Sequence, residues 1–246
     1  MKQPTISVVI PVYNEEKLLP KSLESLSRQT LKPLEIIVVD NNSIDNSAAI
    51  AMSYPLVRVV KEPQQGITYA RTRGFDEAKG EILVRIDADT IVSPDFLKVY
   101  REAFVDDGVA AACGYGAIAE ISPANRYFGT WLIKGCITIH QLYTGAGPIM
   151  YGYNCALRKT TWDTIRPMLS IDDREISEDI DITFAILSND LKIQTVPKAK
   201  SKVYFLRSLK PRKMIRYFLA DRRTFAKYDL KRRKHQLVRP DAKTRK

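Results

Sequence analysis

Short β-branched runs alternate with segments of helical spacing over residues 6–105. Residues 6–12 (Ile-Ser-Val-Val-Ile-Pro-Val) read as a strand buried on both faces. Leu18, Leu19, Leu23 and Leu26 then recur at helical spacing, with Pro20 in a first turn where proline is tolerated. Residues 34–39 predict a second strand ending at Asp40, residues 45–52 a short helix, and residues 56–60 a third strand. Residues 66–79 predict a helix, and residues 82–86 a fourth strand that ends at Asp87. A further helix over 94–105 is opened by Ser93 as a cap, followed by proline. This order predicts an α/β fold, a Rossmann-like, mainly parallel sheet flanked by helices. Such sheets bind ligands beyond the carboxyl ends of their strands.

The pattern loosens after residue 108. Residues 109–121 suggest one or two strands, and residues 126–146 are aromatic and apolar without a clear period. Residues 154–158 read as a strand leading into a helix at 159–165. Residues 178–187 are helical, and residues 193–196 and 203–206 suggest two closing strands. Residues 211–228 predict a basic, aromatic amphipathic helix, and the tail beyond Lys231 is expected to fray. The expected organisation is one domain over residues 1–206 with a basic helical C-terminal extension over 207–246.

Charge sharpens that division. Residues 201–246 hold 17 Lys and Arg against Asp221, Asp229 and Asp241, so residues 1–200 hold 22 basic and 25 acidic residues. A near-neutral body with a strongly basic tail suits peripheral contact with an anionic membrane or with nucleic acid; a solvated tail is the plainer alternative. Ile215, Phe218, Leu219 and Phe225 either close the core or lie at a membrane surface. Cys113, Cys136 and Cys155 are odd in number and form no metal pattern, which fits a reducing, cytoplasmic setting. No signal peptide is expected, because Met1 leads straight into a strand-like segment, and no spanning helix, because the longest apolar stretch, 128–150, is broken by Lys134, His140, Gln141 and glycines.

The candidate chemistry sits at the strand exits: Tyr13-Asn14-Glu15, Asp40-Asn41-Asn42-Ser43 and Asp87-Ala88-Asp89. If the chain is still extended there, side chains at i and i+2 point the same way. Asp87 and Asp89 then converge on one hard cation, Mn²⁺ or Mg²⁺, of the kind shared between carboxylates and substrate phosphates. Asp40 is placed to accept from a base or ribose, or else to cap the helix near Asp45, with Ser43 as a second candidate cap. Arg71 is the expected inward member of the Arg71/Arg73 pair, meeting a phosphate or Asp87. Glu178 and Asp179 either favour the dipole of the helix that Ser177 caps, or one of them acts as general base. His140 and His235 receive no role.

Two other classes fit less well. Basic residues near Tyr217, Phe218 and Tyr228 suit nucleic acid, but acids at three strand exits would repel its phosphates. A nucleotidyltransferase would carry a glycine-rich phosphate loop after the first strand, where Pro11-Val-Tyr-Asn-Glu-Glu16 stands instead.

Residues 8–15 (Val-Val-Ile-Pro-Val-Tyr-Asn-Glu), 38–43, Gly66 with Ala70-Arg-Thr-Arg-Gly74, 86–89, 153–158 and 177–181 together resemble the family 2 glycosyltransferases, in that family's order over about residues 5–200. The resemblance implies a GT-A fold and an inverting transfer from a nucleotide-diphosphate sugar. It implies that Pro11, Tyr13, Glu15, Asp40, Asn42, Arg71, Asp87 and Ala88 bind the nucleotide-sugar. It also implies that Asp89 and Asp87 hold the metal, that Asp179 is the base, and that Glu178 orients the acceptor. Processive synthases of the family carry Gln-x-x-Arg-Trp, which Asp221-Arg-Arg-Thr-Phe225 does not match, so one-sugar transfer to a glycan or lipid-linked acceptor is expected. Acceptor contacts are expected within residues 127–153.

Overall fold

The computed structural model of the protein describes residues 3–120, 126–144, 147–172, 176–204 and 211–228. Strands β1 (Ile6–Val12), β2 (Glu35–Asp40), β3 (Val57–Lys61) and β4 (Ile82–Arg85) form a parallel block in the order β3-β2-β1-β4. Helices α1 (Leu19–Ser27), α2 (Ser47–Met52) and α3 (Ile67–Glu77) connect them. The chain continues through β5 (Ile91–Val92), α4 (Phe96–Ala103), β6 (Val109–Ile118), α5 (Arg126–Thr144) and β7 (Cys155–Arg158). It ends with α6 (Lys159–Ile165), a 3-10 turn (Arg166–Met168), α7 (Glu178–Ser188), β8 (Lys192–Val203) and α8 (Pro211–Lys227). The full sheet runs β3-β2-β1-β4-β7-β6-β8-β5. Strand β7 is antiparallel to β4 and β6, and β5 to β8, while β6 and β8 run parallel. The sheet is thus parallel on the side that carries the strand-exit acids and mixed on the other.

Uninterrupted apolar runs need cover on both faces, and both are covered. Val8, Ile10, Val38 and Val84 pack with Leu19, Leu23, Phe96 and Tyr100 of α1 and α4. Val9, Ile37, Val39 and Leu83 pack on the opposite face with Phe75, Trp162 and Ile182 of α3, α6 and α7. A Cβ at Gly74 would lie 2.3 Å from Val9 Cγ1, so only glycine lets α3 approach β1 this closely.

Pro11 lies inside a central strand, where a missing N–H normally breaks a ladder. In a parallel strand, alternate residues bond to opposite neighbours. Here the Val9 carbonyl accepts from Ile86 on the β4 side, and the Val12 carbonyl accepts from Asn41 on the β2 side. Pro11 therefore faces the β4 side, and the β1–β4 register ends at Val9 and Arg85. No ladder bond is lost. The pairing of β1 and β4 ends there, at the point where the strand order reverses and ligands are expected.

Two regions differ from the sequence expectation. Residues 126–144 form a helix, with Ile137 turned to Ile118 and Val203. The two closing strands are one strand, β8, whose register to β6 jumps between Cys113–Thr195 and Tyr115–Lys200. Pro197 and the Ala199 carbonyl, which accepts from Asn154 Nδ2 at 2.9 Å, lie in that jump. Residues 205–206 of the second expected strand, and the tail beyond residue 228, lie outside the described residues.

Helix α8 is tied to the body by Asp181, which is fully buried. Its carboxylate accepts from Ser170 N at 2.9 Å, Lys227 Nζ at 2.7 Å and Tyr228 Oη at 2.8 Å. The Ser177 amide also donates to Thr224 Oγ1 at 2.8 Å. The third acid of the 177–181 motif is therefore a structural clamp. Asp181→Ala is expected to lower the unfolding free energy by about 3 kcal/mol, since it strands a part-buried ammonium and two other donors. Urea unfolding and protease cleavage within α8 measure this. The boundary expected at residue 206 falls within 205–210, outside the described residues.

Candidate active site

Strand β4 stops at Arg85, and the chain closes a turn in which Thr90 N donates to the Asp87 carbonyl at 3.0 Å. Asp87 and Asp89 therefore sit on a turn and not on one face of an extended segment. Asp87 keeps 42% of its side chain exposed, whereas Asp89 is buried, as is Ala88 between them.

Arg85 organises the centre. It interrupts an apolar strand and is almost fully buried, yet one guanidinium reaches three acids. Nη2 lies 2.6 Å from Glu178 Oε1 and 3.3 Å from Asp87 Oδ1, and Nη1 lies 3.7 Å from Asp179 Oδ1. The other Glu178 oxygen is 3.3 Å from Nη1 of Arg71, which is fully buried, while Arg73 is exposed. Glu178 is thus shared by two buried arginines. Arg71 is the inward member of its pair, and it forms an ion pair with Glu178.

The acids reach this point because α7 is buried along most of its length and drives its first turn at the β4 exit. The helix dipole favours carboxylates there. Ser177 stands at the N-cap position, but its hydroxyl makes no capping bond. Asp179 Oδ1 accepts from the Gly152 amide at 3.1 Å. Burial first, and then the neighbouring Glu178 carboxylate, push the Asp179 carboxyl up to about 8, against the opposing pull of Arg85. Gly152 is glycine for a physical reason: a Cβ there would lie 2.4 Å from Arg85 Cζ.

The exits of β1 and β2 form a second group. Asp40, buried at the end of β2, accepts from Ser43 N at 3.1 Å. Val12 is in register with Asp40 on β2, and β4 lies on the other side of β1. Asp40 and Asp87 thus leave the same edge one strand apart, roughly 10 Å at 4.8 Å per strand spacing. Asn14 and Asn42 both take left-handed backbone, with φ of 53° and 63°. Asn14 Oδ1 accepts from Ile44 N, and Asn42 Nδ2 donates to the Pro63 carbonyl at 2.7 Å. The Glu15 amide donates to Ser47 Oγ at 2.8 Å. Ser43 does not cap α2; its hydroxyl accepts from Asn14 N, and Asp45 holds the Ser47 amide instead. Ser93 likewise is not the α4 cap position, which Asp95 occupies. Pro11 is buried near the end of β1, and Tyr13, just beyond the strand, is half exposed. Asp87, Glu178, Asp179 and Arg71 are joined through Arg85, while Tyr13, Glu15, Asp40 and Asn42 form a separate rim.

Arg85, Gly152 and His140 went unassigned from sequence. A lone cation inside residues 82–86 is the signal that marks Arg85. His140 has no local signal, because both its partners are remote. Its Nδ1 lies 2.7 Å from Tyr151 Oη and its Nε2 3.2 Å from Asp221 Oδ2. A carboxylate only accepts, so Nε2 donates to Asp221 while Nδ1 faces the tyrosine hydroxyl. Tyr151 precedes Gly152, so His140 connects α8 to the turn that holds Asp179.

Among known proteins, the model of the family described as "Glycosyl transferase family 2" matches residues 7–165. The chain belongs to glycosyl transferase family 2. It is 33% identical over 179 residues to an undecaprenyl-phosphate 4-deoxy-4-formamido-L-arabinose transferase of Pectobacterium carotovorum, covering 69% of this chain and 52% of that protein. It is 33% identical over 128 residues to the glycosyltransferase GlyG of Streptococcus pneumoniae, covering 50% of this chain and 42% of the relative. This family 2 chain therefore spans about half the length, or less, of these relatives. Its fold is similar to the mannosyltransferase PcManGT of Pyrobaculum calidifontis, solved with GDP-Man and Mn²⁺, with a TM-score of 0.67 at 21% identity over 92% of this chain and 64% of that one. It is also similar to S. aureus TarS 1-349 solved with UDP-GlcNAc, with a TM-score of 0.61 at 20% identity over 81% of this chain and 58% of that one. At these identities the likeness concerns the fold, which is GT-A. Among the described residues, no helix is long and apolar enough to cross a membrane.

Proposed function

We propose that the chain moves one sugar from a nucleotide-diphosphate sugar to a hydroxyl of a glycan or lipid-linked acceptor, with inversion at the anomeric carbon. The observation that carries this is the convergence on Arg85 of Asp87 from the β4 exit and Glu178 and Asp179 from α7. Donor-side and acceptor-side carboxylates thereby flank one crevice. The Pectobacterium relative, an undecaprenyl-phosphate sugar transferase, supports a lipid-linked acceptor, and the two solved neighbours, bound to GDP-Man and UDP-GlcNAc, support a nucleotide-sugar donor.

Each residue then has a task. Asp179, with its raised affinity for protons, removes the proton of the attacking hydroxyl. Gly152 and Arg85 fix its orientation, and Glu178 holds Arg85 in place from between the two arginines. Pro11, Tyr13, Glu15 and Asp40 line the nucleotide side, Asn42 shapes its rim, and Asp87 and Ala88 face the ribose and diphosphate. Asp87 and Asp89 supply two hard oxygens on one turn, a set that fits Mn²⁺ or Mg²⁺ when diphosphate and water complete the shell. Among the described residues no group of three His, Cys, Asp or Glu gathers to hold an ion without that help. A bound ion would neutralise charge on the departing diphosphate. The chain then works in the cytoplasm, in peripheral contact with the inner face of the membrane.

Incubation with a nucleotide-sugar, Mn²⁺ and a membrane lipid extract tests the reading. Release of the nucleoside diphosphate and a sugar product of opposite anomeric configuration by NMR are expected. A retained configuration would contradict the direct displacement, and no release from any donor would contradict the transfer.

A further inference from the structure

Helices α5 and α8 each bury one face and leave an apolar stripe on the other. On α5, Ile137 packs inward while Trp131, Ile139 and Leu142 are 70%, 68% and 78% exposed. On α8, Ala220, Asp221 and Thr224 are buried, and Ile215, Phe218 and Leu219, at i, i+3 and i+4, are exposed by 62%, 49% and 44%. These side chains therefore do not close the core. The bond between His140 and Asp221 joins the two helices at one point. Large apolar groups exposed in a contiguous patch mark an interaction surface.

The charge around the stripes selects the partner. Helix α5 contains no acid, and the one acid of α8, Asp221, is turned inward to His140. Lys134, Arg216 and Arg222 are exposed beside the stripes, and residues 201–246 carry 17 basic residues against three acids. Two copies of this face would bring like charges together. An anionic phospholipid surface offers both apolar depth and negative headgroups.

We infer that the outward faces of α5 and α8 together form a docking surface for an anionic bilayer, with Trp131 and Phe218 entering the interfacial layer. This deepens the lipid-linked acceptor reading and rests on it for its purpose, whereas docking itself needs no donor. Through Tyr151 and Gly152, the same helices connect to Asp179, so docking would bring the base to the membrane face.

The test uses the full chain in flotation with phosphatidylcholine vesicles, with and without phosphatidylglycerol. Binding only to the anionic vesicles, weakening with salt, is expected. Trp131 emission should shift to the blue on binding, whereas Trp162, buried at 1%, stays unchanged, and Trp131→Phe should remove the shift. Ile215→Ser/Phe218→Ser/Leu219→Ser, and separately Trp131→Ser/Leu142→Ser, should each weaken binding about tenfold or more. A thermal melt of each variant, with and without donor and Mn²⁺, shows whether the fold and donor site persist. Absence of flotation at low salt would overturn the inference. So would full binding by both folded variants, or a doubling of mass in solution that the α8 variant reverses. A failure of donor binding with flotation intact would strike the transferase reading and leave the docking surface standing.

Discussion

Asp179→Asn is expected to reduce turnover by about two to four orders of magnitude, the usual worth of a positioned general base, while donor binding and folding persist. The amide keeps the shape and can still accept from the Gly152 N–H. Its effect on stability has a definite sign. The folded carboxyl is raised to about 8 against an ordinary value near 4, so the folded state binds more protons than the unfolded chain between those limits. Stability attributable to this group is therefore highest below the unfolded value and falls as pH rises towards 8. Asn removes that loss, so the variant should melt no lower than the unaltered protein at pH 7. The same shift gives the rate of transfer an acid limb that rises through about pH 8. Glu178→Gln removes the neighbouring charge that raises Asp179, and the limb should move to lower pH. A pH–rate profile checks both; full turnover in Asp179→Asn would show that another group takes the proton.

The second large effect concerns Arg85. Arg85→Met keeps the aliphatic stem of the side chain but removes the guanidinium, and it leaves Glu178, Asp179 and Asp87 facing one another with Arg71 as the remaining buried cation beside Glu178. Breaking a buried ion pair by removing one partner typically costs about 3–5 kcal/mol, and denaturant unfolding should show a loss of that order. Glu178→Gln alone should also destabilise, because it leaves two guanidiniums short of a counter-charge. Combined with Arg85→Met, it should cost less than the sum of the two singles, since each removes the other's unpaired partner. Additive losses would mean that the Arg85–Glu178 contact at 2.6 Å contributes little. Gly152→Ala approaches the same point from outside: the added methyl displaces the Arg85 guanidinium and should reduce turnover with a smaller loss of stability.

The parallel half of the fold was legible because strands buried on both faces write themselves as continuous apolar runs. Residues 6–12 and 82–85 are buried at every position. The mixed half was less legible. Residues 126–144 carry no clean helical period because α5 is apolar on its outward side as well as its inward one. Strand β8 reads as two pieces because Pro197 and a register jump divide it. At the site, Asp87, Asp89, Glu178 and Asp179 stand out as acids at element ends, where polar groups have few structural reasons to cluster. Their organiser does not. Arg85 is three residues from the start of an apolar strand, and while Asp87 is near in sequence, its closest partner, Glu178, lies 93 positions away along the chain. A buried ion network of that kind is a property of the packed helix α7 against the sheet, and local periodicity carries no trace of it. The Asp87–Asp89 pair shows the reverse case: the residues were evident, but their turn geometry was not, because the sequence extends the strand one residue too far.

Binding of a nucleotide-sugar that depends on a divalent ion is the central claim, and a thermal-shift panel tests it most directly. UDP-, GDP-, dTDP- and CDP-sugars are compared with and without Mn²⁺ or Mg²⁺, in the unaltered protein and in Asp89→Ala. A ligand that binds the folded state raises the transition by mass action, by about 2.7 kcal/mol at a hundredfold excess over its dissociation constant. A rise is expected with one donor class only when the ion is present, abolished in an Asp89→Ala protein that melts normally on its own. An absence of any shift across the panel, or an equal shift in Asp89→Ala, would contradict it.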